Sequence, residues 1–296
     1  MSTRIWSHLK GSFAGSVLAA NAVAIFSSMM PFALLKLALP FGAVRRLADR
    51  VLNTLAETWI SINGAWMVLV QRHRWDVEGL EGLRRKGWYL VSSNHQSWVD
   101  ILVLQRVLHR RVPFLKFFLK RQLLYVPVMG LAWWALDFPF MRRRSGSRSQ
   151  DLATARKACE RFRQLPTCVM NFLEGTRFSR AKHEAQASPY RHLLKPKVGG
   201  MATALSAMGE RFDALLDVTI VYPGGVPTFW DLLSGRVRDV VVRVRSREIP
   251  RDLLGGDYEG DAAFRARMQA WVQQLWTEKD THIQEILVGL RTSAEA

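Results

Sequence analysis

The sequence predicts an α/β domain, a largely parallel mixed sheet flanked by helices, behind an N-terminal helical membrane anchor. Three observations predict it. Short apolar runs alternate with helical patterns from residue 74 onward, the signature of a layered domain with parallel strands. Residues 11–35 carry no formal charge. Polar side chains recur just past the ends of the apolar runs, where open α/β sheets bind ligands. The chain's 296 residues, 49% of them hydrophobic, suffice for one large domain or two small ones with a proper core.

The elements follow in chain order. The uncharged run GSFAGSVLAANAVAIFSSMMPFALL exceeds the roughly 20 apolar residues a spanning helix needs, although Pro31 would kink it. A cleaved signal ending at Ala20-Asn21-Ala22 is the rival reading. The apolar run continues past that site, and a signal's apolar region is usually about 7–15 residues. Residues 51–70 are apolar with one charge, Glu57. They read as a second anchoring helix or as a buried core helix, so residues 1–70 are expected to anchor and 71–296 to form the catalytic domain. Strands are expected at 74–80, 88–92, 134–141, 167–173, 215–222 and, half exposed, at 237–245. Helices are expected at 98–108 and at 151–164, the latter with a stripe of Leu152, Ala155, Cys159 and Phe162. A last long helix should begin near Asp261, with Phe264, Met268, Trp271 and Leu275 as its apolar stripe. The patch RRRSGSRSQ at 142–150 reads as a basic loop.

Charge and cysteine content narrow the function. Forty-two Lys and Arg against 25 Asp and Glu leave +17, which implies an anionic partner. Beside an apolar anchor, anionic lipid headgroups are the expected partner and nucleic acid is not. Cys159 and Cys168 form no CxxC or Cys/His cluster, so neither a disulfide framework nor a zinc site is expected.

Polar chemistry follows three strands. Asn94 and His95 follow WYLVSS, Arg142 and Arg143 follow FPFM, and Glu174, Gly175, Thr176 and Arg177 follow MNFL. If His95 ends a strand and Asp100 opens the next helix, the carboxylate can accept the imidazole Nδ1–H and leave Nε2 to take a proton from a hydroxyl. No GxSxG motif or reactive cysteine accompanies them, so the substrate would supply that hydroxyl. Spacing alone is equally compatible with a His–Asp loop bond. Gly175 allows a tight turn, and Arg177 at a sheet edge suits the paired oxygens of a phosphate. A solvated surface turn is the alternative.

NHQSWVD matches the NHxxxxD motif, and EGTR the EGTR motif, of the glycerolipid acyltransferases. The chain resembles that family over roughly residues 74–250, and most of all its bacterial 1-acylglycerol-3-phosphate acyltransferases. FPFMRR resembles the block between the two motifs, which would place the family's arginine at Arg143. FLKRQLLYVPVMG resembles its lysine-containing segment, at Lys120, and VTIVYP its last block. The resemblance implies a glycerol-3-phosphate acyltransferase-like fold. It also implies that His95, oriented by Asp100, deprotonates the sn-2 hydroxyl of lysophosphatidic acid, which then attacks an acyl thioester to give phosphatidic acid. Arg143, Arg177 and Lys120 would hold the phosphate, Glu174 would align them, and Gly175 and Thr176 would belong to the same substrate-binding turn. No metal or cofactor is implied beyond acyl-CoA or acyl carrier protein as co-substrate. The implied location is a bacterial inner membrane, with the site facing the cytoplasm. Another lysophospholipid or lipid acceptor is the alternative substrate. A membrane-anchored binder of anionic lipid or RNA is the alternative without catalysis.

Overall fold

A computed structural model describes residues 2–39, 41–70, 75–117, 119–126, 129–138, 140–141, 153 and 166–295. Two long helices open the chain, α1 (Ser2–Ala38) and α2 (Gly42–Val70). There follow β1 (Trp75–Glu78), β2 (Tyr89–Ser93), α3 (Val99–Leu108), β3 (Leu115–Phe117), β4 (Leu119–Lys120), a 3-10 turn at Arg121–Tyr125, α4 (Met129–Ala135) and β5 (Phe140–Met141). The second half contains β6 (Cys168–Phe172), α5 (Arg180–Ala185), α6 (Gly199–Met208), β7 (Ala214–Val221), α7 (Phe229–Leu233), β8 (Val240–Arg247) and α8 (Ala262–Glu295).

The main sheet has six strands in the order β1-β8-β7-β2-β6-β3, and β4 pairs with β5. Within the six-stranded sheet only β7–β8 is antiparallel; the pairs β1–β8, β2–β6, β2–β7 and β3–β6 are parallel. The mixed, largely parallel sheet expected from the sequence is therefore present. Strand β2 lies at its centre and is buried along its whole length. One apolar core joins the side chains of α1–α4 to one face of the sheet. A second joins α6 and α8 to the other. A strand covered on both faces cannot alternate apolar and polar residues, which is why YLVSS does not. Gly79 turns the chain after β1 at φ +82°, and a Cβ there would lie 1.9 Å from the Val244 carbonyl oxygen, so only glycine fits.

Helix α1 lies along the domain. Ala14, Phe26, Met29 and Ala33 are buried beneath it, and it packs on α2, α4 and α7. Lys36, near its end, forms ion pairs with Asp49 on α2 at 2.7 Å and with Asp137 after α4. Over Ile5–Ala38 it is long and apolar enough to cross a membrane, and among the described residues no other helix is. Helix α2 buries one face, including Leu52, Ile60, Trp66 and Met67. The two helices are locked by Asn21, whose amide donates to the Asn63 Oδ1 at 3.0 Å and to the Trp59 carbonyl at 3.1 Å.

Three expectations change. Among the described residues of the strand expected at 134–141, only Phe140–Met141 are in a strand, because its first residues finish α4; a short apolar run does not distinguish strand from buried helix. The 237–245 stretch is buried rather than half exposed at Val240, Val241, Val242 and Val244, since β8 is interior. In α8 the apolar stripe runs through Val272 and Trp276 in place of the half-buried Trp271. Asp261 caps this helix through the Ala263 and Phe264 amides. Apart from Ala153, which is helical, the helix expected at 151–164 lies outside the described residues, as do Arg142 and Arg143.

Candidate active site

The site forms where the central strand β2 ends. Asn94 is buried, and its side chain grips β7 with two bonds to Ile220: the amide donates to the carbonyl at 2.8 Å and the Oδ1 accepts from the N–H at 2.9 Å. This mimics one more rung of the ladder and fixes where the chain turns. Ser97 donates to the Pro227 carbonyl at 2.6 Å and accepts from the Val99 N–H at 3.2 Å, which starts α3. The turn between them brings Asp100 back beneath His95.

His95 Nδ1 and Asp100 Oδ2 are 2.9 Å apart. The same oxygen accepts the backbone N–H of Gln96 at 2.6 Å and of Ser97 at 2.8 Å. The other oxygen accepts the Tyr222 hydroxyl at 2.6 Å. An ionised carboxylate is acceptor-only, so His95 must donate through Nδ1, and Nε2 is the unprotonated nitrogen of the neutral ring. Burial, and then the Asp100 charge, push the Tyr222 phenol well above its ordinary value, which keeps it a donor. The imidazole stacks on Phe172 with ring centres 3.9 Å apart and planes at 14°. Its orientation is thus set from two sides. Tyr222 and Phe172 were not identified as site residues from sequence. The one available signal was their position at the ends of the expected strands.

The EGTR turn leaves β6 beside this dyad. Gly175 has φ +66°, and its N–H closes the turn on the Phe172 carbonyl at 2.9 Å. The resemblance implies that Glu174 aligns a basic cluster; the structure gives its carboxylate other partners. It is fully buried, and its two oxygens accept the backbone N–H of His95 at 2.7 Å and of Leu194 at 3.0 Å. It therefore holds the histidine's main chain. Burial pushes its pKa up to about 7, against the pull of those two amides. Thr176 accepts a bond from the Lys182 ammonium at 2.9 Å. Arg177 is exposed, with its guanidinium 5.2 Å from the Trp98 ring centre, a cation–π contact. Lys120 ends β4; its side chain lies outside what is described.

His95, Gly175, Thr176 and Arg177 line the mouth of a cavity of about 410 Å³. Its walls are apolar and come from Phe26 and Trp59 of the first two helices, Ile101 of α3, Ala132 of α4, and Phe117 and Met170 of the sheet. No serine or cysteine is among its described lining residues. Cys168 is buried, and that burial pushes its thiol well above the ordinary value, so it is no nucleophile. The site can hold a long apolar chain, orient an anionic group at its mouth and take a proton at His95 Nε2.

Comparison with known proteins bears on this geometry. A family model described as Acyltransferase matches residues 74–223. The 1-acyl-sn-glycerol-3-phosphate acyltransferase 3 of Arabidopsis thaliana is 28% identical over 266 residues, covering 83% of this chain and 66% of its own length. The gamma form of that enzyme from Mus musculus is 30% identical over 207 residues, 64% of this chain and 51% of its own. Lysocardiolipin acyltransferase 1 of Danio rerio is 27% identical, over 79% of this chain and 61% of its own. The chain thus spans between half and two thirds of these relatives. The crystal structure of PlsC, a 1-acyl-sn-glycerophosphate acyltransferase from Thermotoga maritima, shares the fold at a TM-score of 0.58 and 16% identity, covering 95% of this chain and 98% of that one.

Proposed function

Because the chain belongs to the acyltransferase family, we propose that it transfers a fatty acyl group from a thioester to the sn-2 hydroxyl of lysophosphatidic acid, giving phosphatidic acid. The observation that carries this reading is a His–Asp pair opening on a largely apolar cavity with no serine or cysteine among its described lining residues. His95 Nε2 takes the hydroxyl proton as the oxygen attacks the thioester carbonyl. The carbon–sulfur bond then breaks, the thiolate takes the proton back, and an ester and a free thiol leave. Asp100 holds the tautomer and stabilises the imidazolium formed on the way. The acyl chain lies in the cavity between the first two helices and the sheet. Arg177, with Arg143 and Lys120 in the same role, binds the acceptor phosphate. Coenzyme A or acyl carrier protein delivers the acyl group, and the scheme needs no metal or other cofactor.

Residues 1–70 are the membrane-binding part in this reading. Helix α1 has 37 residues, roughly 55 Å at 1.5 Å per residue, against about 30 Å of hydrocarbon. It packs along the domain, while Trp6, Phe13, Leu34, Leu37 and Phe41 stay exposed. This supports a helix lying in one leaflet of a bacterial inner membrane, on its cytoplasmic side, rather than one crossing it. Vesicle binding without access of an α1 label to the enclosed volume is expected; labelling from inside would contradict it.

Lipid mass spectrometry of purified protein with acyl-CoA and a panel of lysolipids tests the function. Phosphatidic acid is the expected main product. Its absence, or a preferred acceptor without a phosphomonoester, rejects the assignment.

A further inference from the structure

A second pocket of about 520 Å³ touches the surroundings of the dyad through Gln96, next to His95, and Tyr222, which follows β7 and bonds Asp100. Its polar wall is Arg180, His183, Arg191 and His192. It belongs to a segment, 177–197, with six Lys and Arg against one acid, Glu184. Glu184 lines the pocket. Nearby Asp280 is occupied, its oxygens accepting the backbone N–H of Arg191 at 2.8 Å and of His192 at 2.7 Å. Those bonds fix the backbone that carries Arg191. His183 and His192 are anchored too, through Nε2 to the Tyr190 carbonyl at 2.6 Å and to the Gln284 Oε1 at 2.8 Å. The guanidinium groups of Arg180 and Arg191 are exposed. The pocket is therefore a held, cationic wall beside the base.

Its position selects its ligand. The apolar cavity, with Arg177 at its mouth, lies on the sheet face covered by α1–α4. The basic pocket is walled by Ile283 and Leu287 of α8, which packs on the opposite face. The first face adjoins the helices that carry the exposed apolar residues and receives a lipid. The second carries far fewer of them, Val226 beside the pocket and Val288 on α8. A reaction joining a membrane lipid to a water-soluble thioester needs two approaches converging on one base. Arg177 already serves the lipid's phosphate on the first. We propose that the basic pocket binds the phosphorylated pantetheine arm of the acyl donor, through Arg180 and Arg191. The inference rests on the thioester-dependent transfer proposed above.

The test removes both charges in Arg180→Gln/Arg191→Gln. Lys86→Gln/Arg211→Gln, which loses two charges at the other end of the central strands, serves as the electrostatic control. Donors are acyl-CoA, acyl carrier protein bearing the same chain, and phosphate-free S-acyl-N-acetylcysteamine. The KM for the phosphorylated donor should rise ten- to hundredfold relative to any change for the phosphate-free one, as lost charge-assisted bonds imply. A rise with both carriers supports the shared arm; a rise with acyl-CoA alone places the nucleotide's phosphates there instead and overturns the proposal. Equal changes for phosphorylated and phosphate-free donors, an equal effect of the control, or a rise confined to the acceptor's KM overturns the proposal. Calorimetric titration with unacylated coenzyme A needs no turnover. At least tenfold weaker binding by the double variant supports the pocket, and unchanged or undetectable binding to the wild type and variant alike overturns it. If wild type turns over no thioester, the acyl-transfer reading fails and this titration alone judges the pocket.

Discussion

At the residue scale, Glu174 shows how an acid in a catalytic motif can act without touching substrate. Its carboxyl group is spent on two main-chain amides, and burial raises its pKa from the ordinary 4.5 to about 7. The sign of its pH effect follows. Below about pH 4.5 the acid is neutral in both folded and unfolded chains, and its contribution to stability is fully present. As pH rises toward 7 the unfolded chain ionises first and the folded state loses ground. Relative to Glu174→Gln, the wild type should lose about 3 kcal/mol across that window, the equivalent of an acid moved from 4.5 to about 7. Thermal unfolding of both proteins from pH 4.5 to 8 measures this, and a difference that is flat or grows with pH argues against the buried neutral acid. Arg177 lies at the cavity over Trp98, where the proposed reaction has it bind the acceptor phosphate. Losing a charge-assisted phosphate contact of about 1.5–3 kcal/mol should raise the acceptor KM by roughly ten- to hundredfold in Arg177→Ala. Arg177→Lys should recover only part, because it restores charge without the planar fork. Steady-state kinetics with both substrates varied decides this; a change confined to the thioester KM would move Arg177 to the donor side.

At the element scale, the first two helices contribute to the domain itself, beside the membrane binding proposed for them. Phe26 and Trp59 wall the cavity, so deleting residues 1–40 would open the site as well as remove the proposed anchor. The hairpin is pinned by a buried polar pair. Asn63 Oδ1 accepts from Asn21 and, at 3.2 Å, from the Trp66 indole N–H. Asn63→Leu strands the Trp66 indole N–H and one of the two Asn21 amide hydrogens, and should destabilise the protein by about 1–3 kcal/mol, read as a lower midpoint in denaturant titration with detergent present. An unchanged midpoint would mean that packing alone holds the hairpin. The sequence showed this pair poorly, because two asparagines 42 positions apart leave no local pattern. It showed the sheet well: β2, β6 and β7 lie where continuous apolar runs end in polar residues. It showed α4 badly, since an apolar run before Pro139 reads as a strand until a neighbouring helix covers it. Helix α6 was missed, because GGMATALSAM is apolar on every side and has no period to read. The His95–Asp100 contact was legible from spacing. The roles of Tyr222, Phe172 and Glu174 were not, since each depends on which strand ends the fold brings together.

At the scale of the whole molecule, the sheet acts as a partition. Its central strand leads into His95, one face opens into an apolar cavity walled by the first two helices, and the other opens onto a basic pocket. The excess of 17 positive charges suits the proposed work against anionic lipid and on phosphorylated substrates. All of this depends on His95 moving a proton. The direct measurement is the rate of phosphatidic acid formation by folded His95→Ala, with folding verified by circular dichroism and an unchanged unfolding midpoint. The account predicts a fall of roughly 10²–10⁴, the usual worth of a positioned general base; a folded variant that turns over at close to the wild-type rate would contradict it.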